Sequence, residues 1–115
     1  MVALGYYAGW QGISNINVDY SAPIEINLMN NYPNPFNPTT TIRYTITNNA
    51  SDFSNQVTLL VYNILGSSIS TLVNQQQYSG NYKVVFDAGN FPSGIYYYTL
   101  TIGNFTQTRR MILMK

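Results

Sequence analysis

A chain of 115 residues with a formal net charge of +1 is the length of one domain, and it offers no electrostatic handle for nucleic acid or anionic lipid. It contains no cysteine and no histidine, which excludes a disulfide framework, a thiolate metal site, a thiol nucleophile, and the commonest metal ligand and general base. Only 8% of its residues are charged, against about 25% in an ordinary globular protein, and eleven tyrosines leave an uncharged polar surface suited to an extracellular or self-packing module.

The first 21 residues are apolar and aromatic, punctuated by Gly5, Gly9 and Gly12. Glycine and β-branched neighbours disfavour a helix, so the segment is expected to be an extended strand or a linker. Residues 1–10 lack a charged leading region and make a poor signal peptide, so an export signal would have been removed or would lie outside this sequence. No apolar run reaches the length of about 18 residues that crosses a bilayer. Pro23 separates this tail, residues 1–23, from a domain expected over residues 24–115.

Ile24, Ile26 and Leu28 alternate as a short strand leading into Asn-Tyr-Pro-Asn-Pro-Phe-Asn-Pro at residues 31–38. Pro33, Pro35 and Pro38 fix φ and bias Tyr32, Asn34 and Asn37 toward extended backbone, which excludes helix, and three absent amide donors exclude a central strand. A stiff corner is expected, with Tyr32 and Phe36 able to point into a core. Thr40, Ile42, Tyr44 and Ile46 then alternate with polar residues in the first central strand.

After a polar turn at residues 48–55, Val57, Leu59 and Val61 alternate in the next strand, with Leu60 and Tyr62 on its other face. Residues 63–67 form a turn, residues 69–73 a short strand, and residues 75–81 a loop. Tyr82, Val84 and Phe86 line one face of the following strand. Pro92-Ser93-Gly94 opens the longest strand, where Tyr96, Tyr98, Leu100 and Ile102 share one face. Gly103-Asn104 is a two-residue hairpin signal, and the last strand turns Phe105, Met111 and Leu113 inward. Seven strands without a helical period predict an all-β, immunoglobulin-like antiparallel sandwich.

Four stretches also carry a resemblance. Asn31-Tyr32-Pro33-Asn34-Pro35-Phe36-Asn37-Pro38-Thr39-Thr40-Thr41-Ile42-Arg43-Tyr44 resembles the opening signature of the C-terminal sorting domains of the bacterial type IX secretion system. Val61-Tyr62-Asn63-Ile64-Leu65-Gly66 and Ser93-Gly94-Ile95-Tyr96-Tyr97-Tyr98 are similar to two internal segments of that family. Residues 105–115, from Phe105 to Lys115, are similar to its terminal strand.

The resemblance spans about residues 24–115. It implies a seven-stranded sandwich that carries cargo across the outer membrane of a Gram-negative, Bacteroidota-like bacterium, giving a secreted or cell-surface product. It further implies a sortase-like peptidase that removes the domain and joins the cargo to surface lipopolysaccharide, although some relatives stay on their product. Thr106, Thr108, Arg109, Arg110, Met111, Leu113 and Lys115 are then the residues the secretion machinery reads. Relatives follow a long passenger, whereas 23 residues precede the domain here, so the chain is either a piece of a longer protein or itself the product.

Two other roles remain open on the residues alone. Val2, Leu4, Tyr6, Trp10 and Ile13 fit a donor strand that fills a neighbouring copy, which would build a filament; the same tail could instead be an edge strand of its own sandwich or the end of a linker. Tyr97 and neighbouring aromatics fit a carbohydrate-binding module, although Tyr96-Tyr97-Tyr98 is better explained by one core face and one surface face.

Asn34 and Asn37 are expected to close Asx turns. Asp52 and Asp87 stand in separate turns without a ligand-rich loop, so no metal site and no cofactor are expected. Arg109 and Arg110 point to opposite faces, one to solvent and one free for a partner. The sequon-like Asn49-Ala50-Ser51 and Asn104-Phe105-Thr106 are common by chance. No arrangement of acids, or of a hydroxyl with a base, suggests catalysis.

Overall fold

The structure, a computed structural model, describes residues 25–47 and 54–115. Val2, Leu4, Tyr6, Trp10 and Ile13, together with Asn49 and Asp52, lie outside the described residues. Seven strands follow in chain order: β1 (Glu25–Leu28), β2 (Thr39–Thr47), β3 (Asn55–Tyr62), β4 (Ser68–Gln77), β5 (Gly80–Asp87), β6 (Gly94–Ile102) and β7 (Phe105–Leu113). They form two antiparallel sheets, ordered β1-β2-β5 and β4-β3-β6-β7, which is an immunoglobulin-like arrangement.

Period-two alternation decides which face each strand buries. On β2, Thr40, Ile42, Tyr44 and Ile46 are buried, and Val57, Leu59 and Val61 of β3 face them from the other sheet. Tyr96, Tyr98, Leu100 and Ile102 of β6 and Met111 and Leu113 of β7 complete that core. Full burial of each large apolar side chain contributes roughly 1.5–3 kcal/mol, so this shared interior holds the sheets together.

Two polar side chains cross between the sheets within it. Tyr44 on β2 donates its hydroxyl to Gln77 Oε1 on β4 at 2.6 Å, and Tyr98 on β6 donates to the carbonyl of Met29 just beyond β1 at 2.7 Å. At the β5–β6 corner, the Tyr96 hydroxyl donates to the Pro92 carbonyl at 2.6 Å, the tyrosine corner of such sandwiches.

Two expectations need correction. The segment at residues 75–81 is not a loop: β4 continues to Gln77 and β5 begins at Gly80, leaving only Tyr78 and Ser79 between them. Its Gln- and Asn-rich composition lacks an apolar period, yet Asn55, Gln56 and Val57 of β3 pair with Gln77, Gln76 and Gln75, and Gln77 is buried by its bond to Tyr44. Tyr32 is 74% exposed, whereas Phe36 is 2% exposed, so only one aromatic of the proline corner enters the core. Tyr32 exchanges backbone hydrogen bonds with Thr41 in an isolated bridge, which orients its ring outward.

Candidate recognition site on the terminal strand

Among the described residues the terminal strand β7 is an edge strand, paired to β6 from Gly94↔Leu113 to Ile102↔Phe105. The two-residue turn at Gly103, where φ is +57°, makes Ile102 and Phe105 the closing hydrogen-bonded pair. From that register, Phe105, Gln107, Arg109, Met111 and Leu113 direct their backbone groups toward β6. Thr106, Thr108, Arg110 and Ile112 direct theirs away from it. The 2.8 Å contact between the Thr99 and Thr108 hydroxyls fits a pair of the non-hydrogen-bonded kind, whose side chains approach closely.

The far end of that outer edge, at Ile112, is sealed by the proline corner. Asn34 Oδ1 accepts the Ile112 amide at 3.0 Å, the Phe36 amide donates to the Ile112 carbonyl at 2.9 Å, and the Met114 amide donates to the Phe36 carbonyl at 3.0 Å. Phe36 and Leu113 thereby form a parallel bridge. Asn34 was expected to close an Asx turn; its carboxamide instead reaches a strand distant in sequence. The corner holds its shape through Asn31, whose Nδ2 donates to Thr40 Oγ1 at 3.0 Å and to the Pro33 carbonyl at 3.2 Å. The bonds Tyr32-Pro33, Asn34-Pro35 and Asn37-Pro38 are all cis.

Arg109 turns inward and ties β7 to the opposite sheet. Its Nε donates to the Leu28 carbonyl at 2.6 Å, and its Nη1 donates to Asn30 Oδ1 at 3.1 Å. The nearby Tyr98 phenol is pushed above its usual pKa by burial, an effect opposed by the Asn31 amide and by the Arg109 charge. Met111 and Leu113 are buried in the core. Lys115 folds back onto the β5–β6 loop, with Nζ donating to the Gly89 carbonyl at 2.6 Å and its amide to Ser93 Oγ at 2.9 Å.

Of the seven residues expected to be read by a partner, Thr106, Thr108 and Arg110 are therefore the ones exposed on the strand without a tie to the opposite sheet or to the corner. Beside them a cavity of about 590 Å³ opens between Asn30, Tyr32 and Asn34 of the corner and Thr108, Arg110 and Ile112 of the strand. Sequence reasoning missed the corner's part in this site. The repeated Asn-Pro pattern signals a rigid turn but not which strand that turn will lie against.

The other candidates separate. Asp87 Oδ1 accepts the Gly89 amide at 2.9 Å and closes a local turn. No group of three metal-ligating acids occurs among the described residues. Tyr96 and Tyr98 are buried while Tyr97 is half-buried on the opposite face, so the three rings do not share one platform. Among the described residues, no helix is long and apolar enough to cross a membrane.

Fold and site together define an immunoglobulin-like module whose final strand, among the described residues, presents a partly open edge. Residues 30–114 match the family of secretion system C-terminal sorting domains, and the chain belongs to that family. The match takes in both the proline corner and β7, the two stretches that hydrogen bonds join. The family is known as a type IX sorting signal and not for catalysis, and it implies a secreted or surface protein. No curated protein matches the chain.

Proposed function

We propose that this chain is the export signal of a type IX secretion substrate in a Bacteroidota-like bacterium, recognised by outer-membrane secretion machinery through β7. Within β7, Thr106, Thr108 and Arg110 form the contact surface. Arg109, Met111, Leu113 and Lys115 hold the strand in place, so their substitution acts through folding. After export, a sortase-like peptidase releases the cargo to the cell surface.

The observation that carries this role is the family match over residues 30–114, which spans the corner and the terminal strand as one unit. The test is to fuse the chain behind a reporter in a type IX-competent cell and measure surface reporter. Export that depends on residues 106–115 supports the role. Export unchanged by deleting them overturns it.

A further inference from the structure

The outer edge of β7 divides in two. From Ile112 onward its polar groups are met by Asn34 and Phe36. Before it, Thr106, Thr108 and Arg110 have no backbone partner on that side among the described residues. An open edge of this kind is a template for another strand, and proteins usually close it with a bulge, a proline or a cover. Here the cover stops partway. Its last wall, Asn34 and Tyr32, flanks the cavity that Thr108 and Arg110 line from the other side.

The charge around this opening has one sign. The described residues contain five bases, Arg43, Lys83, Arg109, Arg110 and Lys115, against two acids, Glu25 and Asp87. β7 and the two residues after it carry three of those bases and no acid. Arg109 is committed to Leu28 and Asn30, while Arg110 is exposed and has no polar partner among the described residues. A second copy of β7 laid on this edge would bring more positive charge and no acid to meet it.

We propose that an extended strand of the export machinery, carrying an acidic side chain opposite Arg110, adds to β7 at Thr106, Thr108 and Arg110. This rests on the sorting role and specifies how the signal is read. Backbone hydrogen bonds to three alternate residues give affinity that is insensitive to side chains, and the Arg110 pairing sets register.

The test separates backbone from side chain. Thr108→Pro deletes an outward amide without removing a β6–β7 ladder bond, a position where an edge strand tolerates proline. Thr108→Ala keeps that amide and loses the hydroxyl contact to Thr99. With the full chain fused behind a reporter, export is expected to fall about tenfold for Thr106→Pro, and to be about tenfold lower for Thr108→Pro than for Thr108→Ala.

Folding of each variant is checked by near-ultraviolet circular dichroism. If both proline variants fail to fold, Arg110→Glu decides: a loss of about tenfold supports the acidic strand, and normal export overturns it. A folded Thr108→Pro exported as well as Thr108→Ala overturns strand addition, even if deletion of residues 106–115 still abolishes export and the sorting role stands. Amide hydrogen exchange of the purified chain identifies the occupant. Fast exchange at Thr106, Thr108 and Arg110 is expected. Protection that grows with concentration would mean a second copy, and protection independent of concentration would mean the chain's own remaining segment; either overturns the machinery strand.

Discussion

The carboxamide oxygen of Asn34 lies 3.0 Å from the backbone nitrogen of Ile112, so a proline-rich corner near the start of the domain finishes the ladder of its last strand. The bond is exposed, which limits its worth. Asn34→Ala leaves the Ile112 amide to water and is expected to cost on the order of 1 kcal/mol, while Asn34→Asp keeps an acceptor and stays near the parent. Urea unfolding curves for the two variants check this. A larger loss in Asn34→Asp than in Asn34→Ala would mean that the acceptor is not what matters.

Phe36 is the corner's anchor. Its ring is 2% exposed, with a tilted contact to Phe86 at a centroid separation of 6.1 Å. Phe36→Ala is expected to destabilise by about 3–5 kcal/mol, the usual range for truncating a buried aromatic. Phe36→Leu retains most of the volume and is expected to cost less than half as much. Thermal denaturation of both distinguishes a packing anchor from a turn that stands without its ring.

Burial raises the pKa of both Tyr44 and Tyr98 above the ordinary phenol value of about 10. Below about pH 10 folded and unfolded chains both hold these protons, and the stabilisation is complete. As pH rises past 10 the unfolded chain releases protons that the folded chain retains, so stability falls toward the raised pKa. The expected profile of unfolding free energy is flat from neutrality to about pH 9 and declines beyond it. Tyr98→Phe is expected to cost about 1 kcal/mol at pH 7, from the lost bond to Met29, and to make the alkaline decline shallower. An unchanged decline in the Tyr44→Phe, Tyr98→Phe double variant would place its origin elsewhere.

Neighbouring arginines are expected to behave oppositely. Arg109→Met keeps an apolar stem and deletes the bonds to the Leu28 carbonyl and Asn30, at a cost on the order of 1–2 kcal/mol in stability. Arg110→Met touches none of these bonds and is expected to stay within about 0.5 kcal/mol of the parent. Chemical denaturation of the two single variants measures the contrast directly. Equal losses would contradict the division of β7 into an inward, fastening face and an outward, displayed one.

Most of the architecture was legible because half-buried strands alternate. Thr40 through Ile46, Val57 through Val61 and Tyr96 through Ile102 each announced their buried face, and Gly103-Asn104 fixed the final hairpin. The Gln75–Asn81 region was not legible: the end of β4 lies at a sheet edge with polar side chains on both faces, and Gln77 is buried only because Tyr44 arrives from the other sheet. The candidate site was half legible. Alternation showed that Arg109 and Arg110 diverge, but Asn34 meeting Ile112 is a contact between distant segments that no local pattern encodes.

Because β7 comes after every other described strand, the corner made early in synthesis must wait for it. Until β7 arrives, Phe36 lacks the backbone of Ile112 and Leu113 to dock against, and β6 has no neighbour on one side. A chain stopped before β7 therefore keeps an unshielded greasy ring and a raw sheet margin, features that invite proteolysis and misassembly. The closed corner is in this sense a mark that β7 is in place, and only a chain that bears it offers a finished β7 to anything outside.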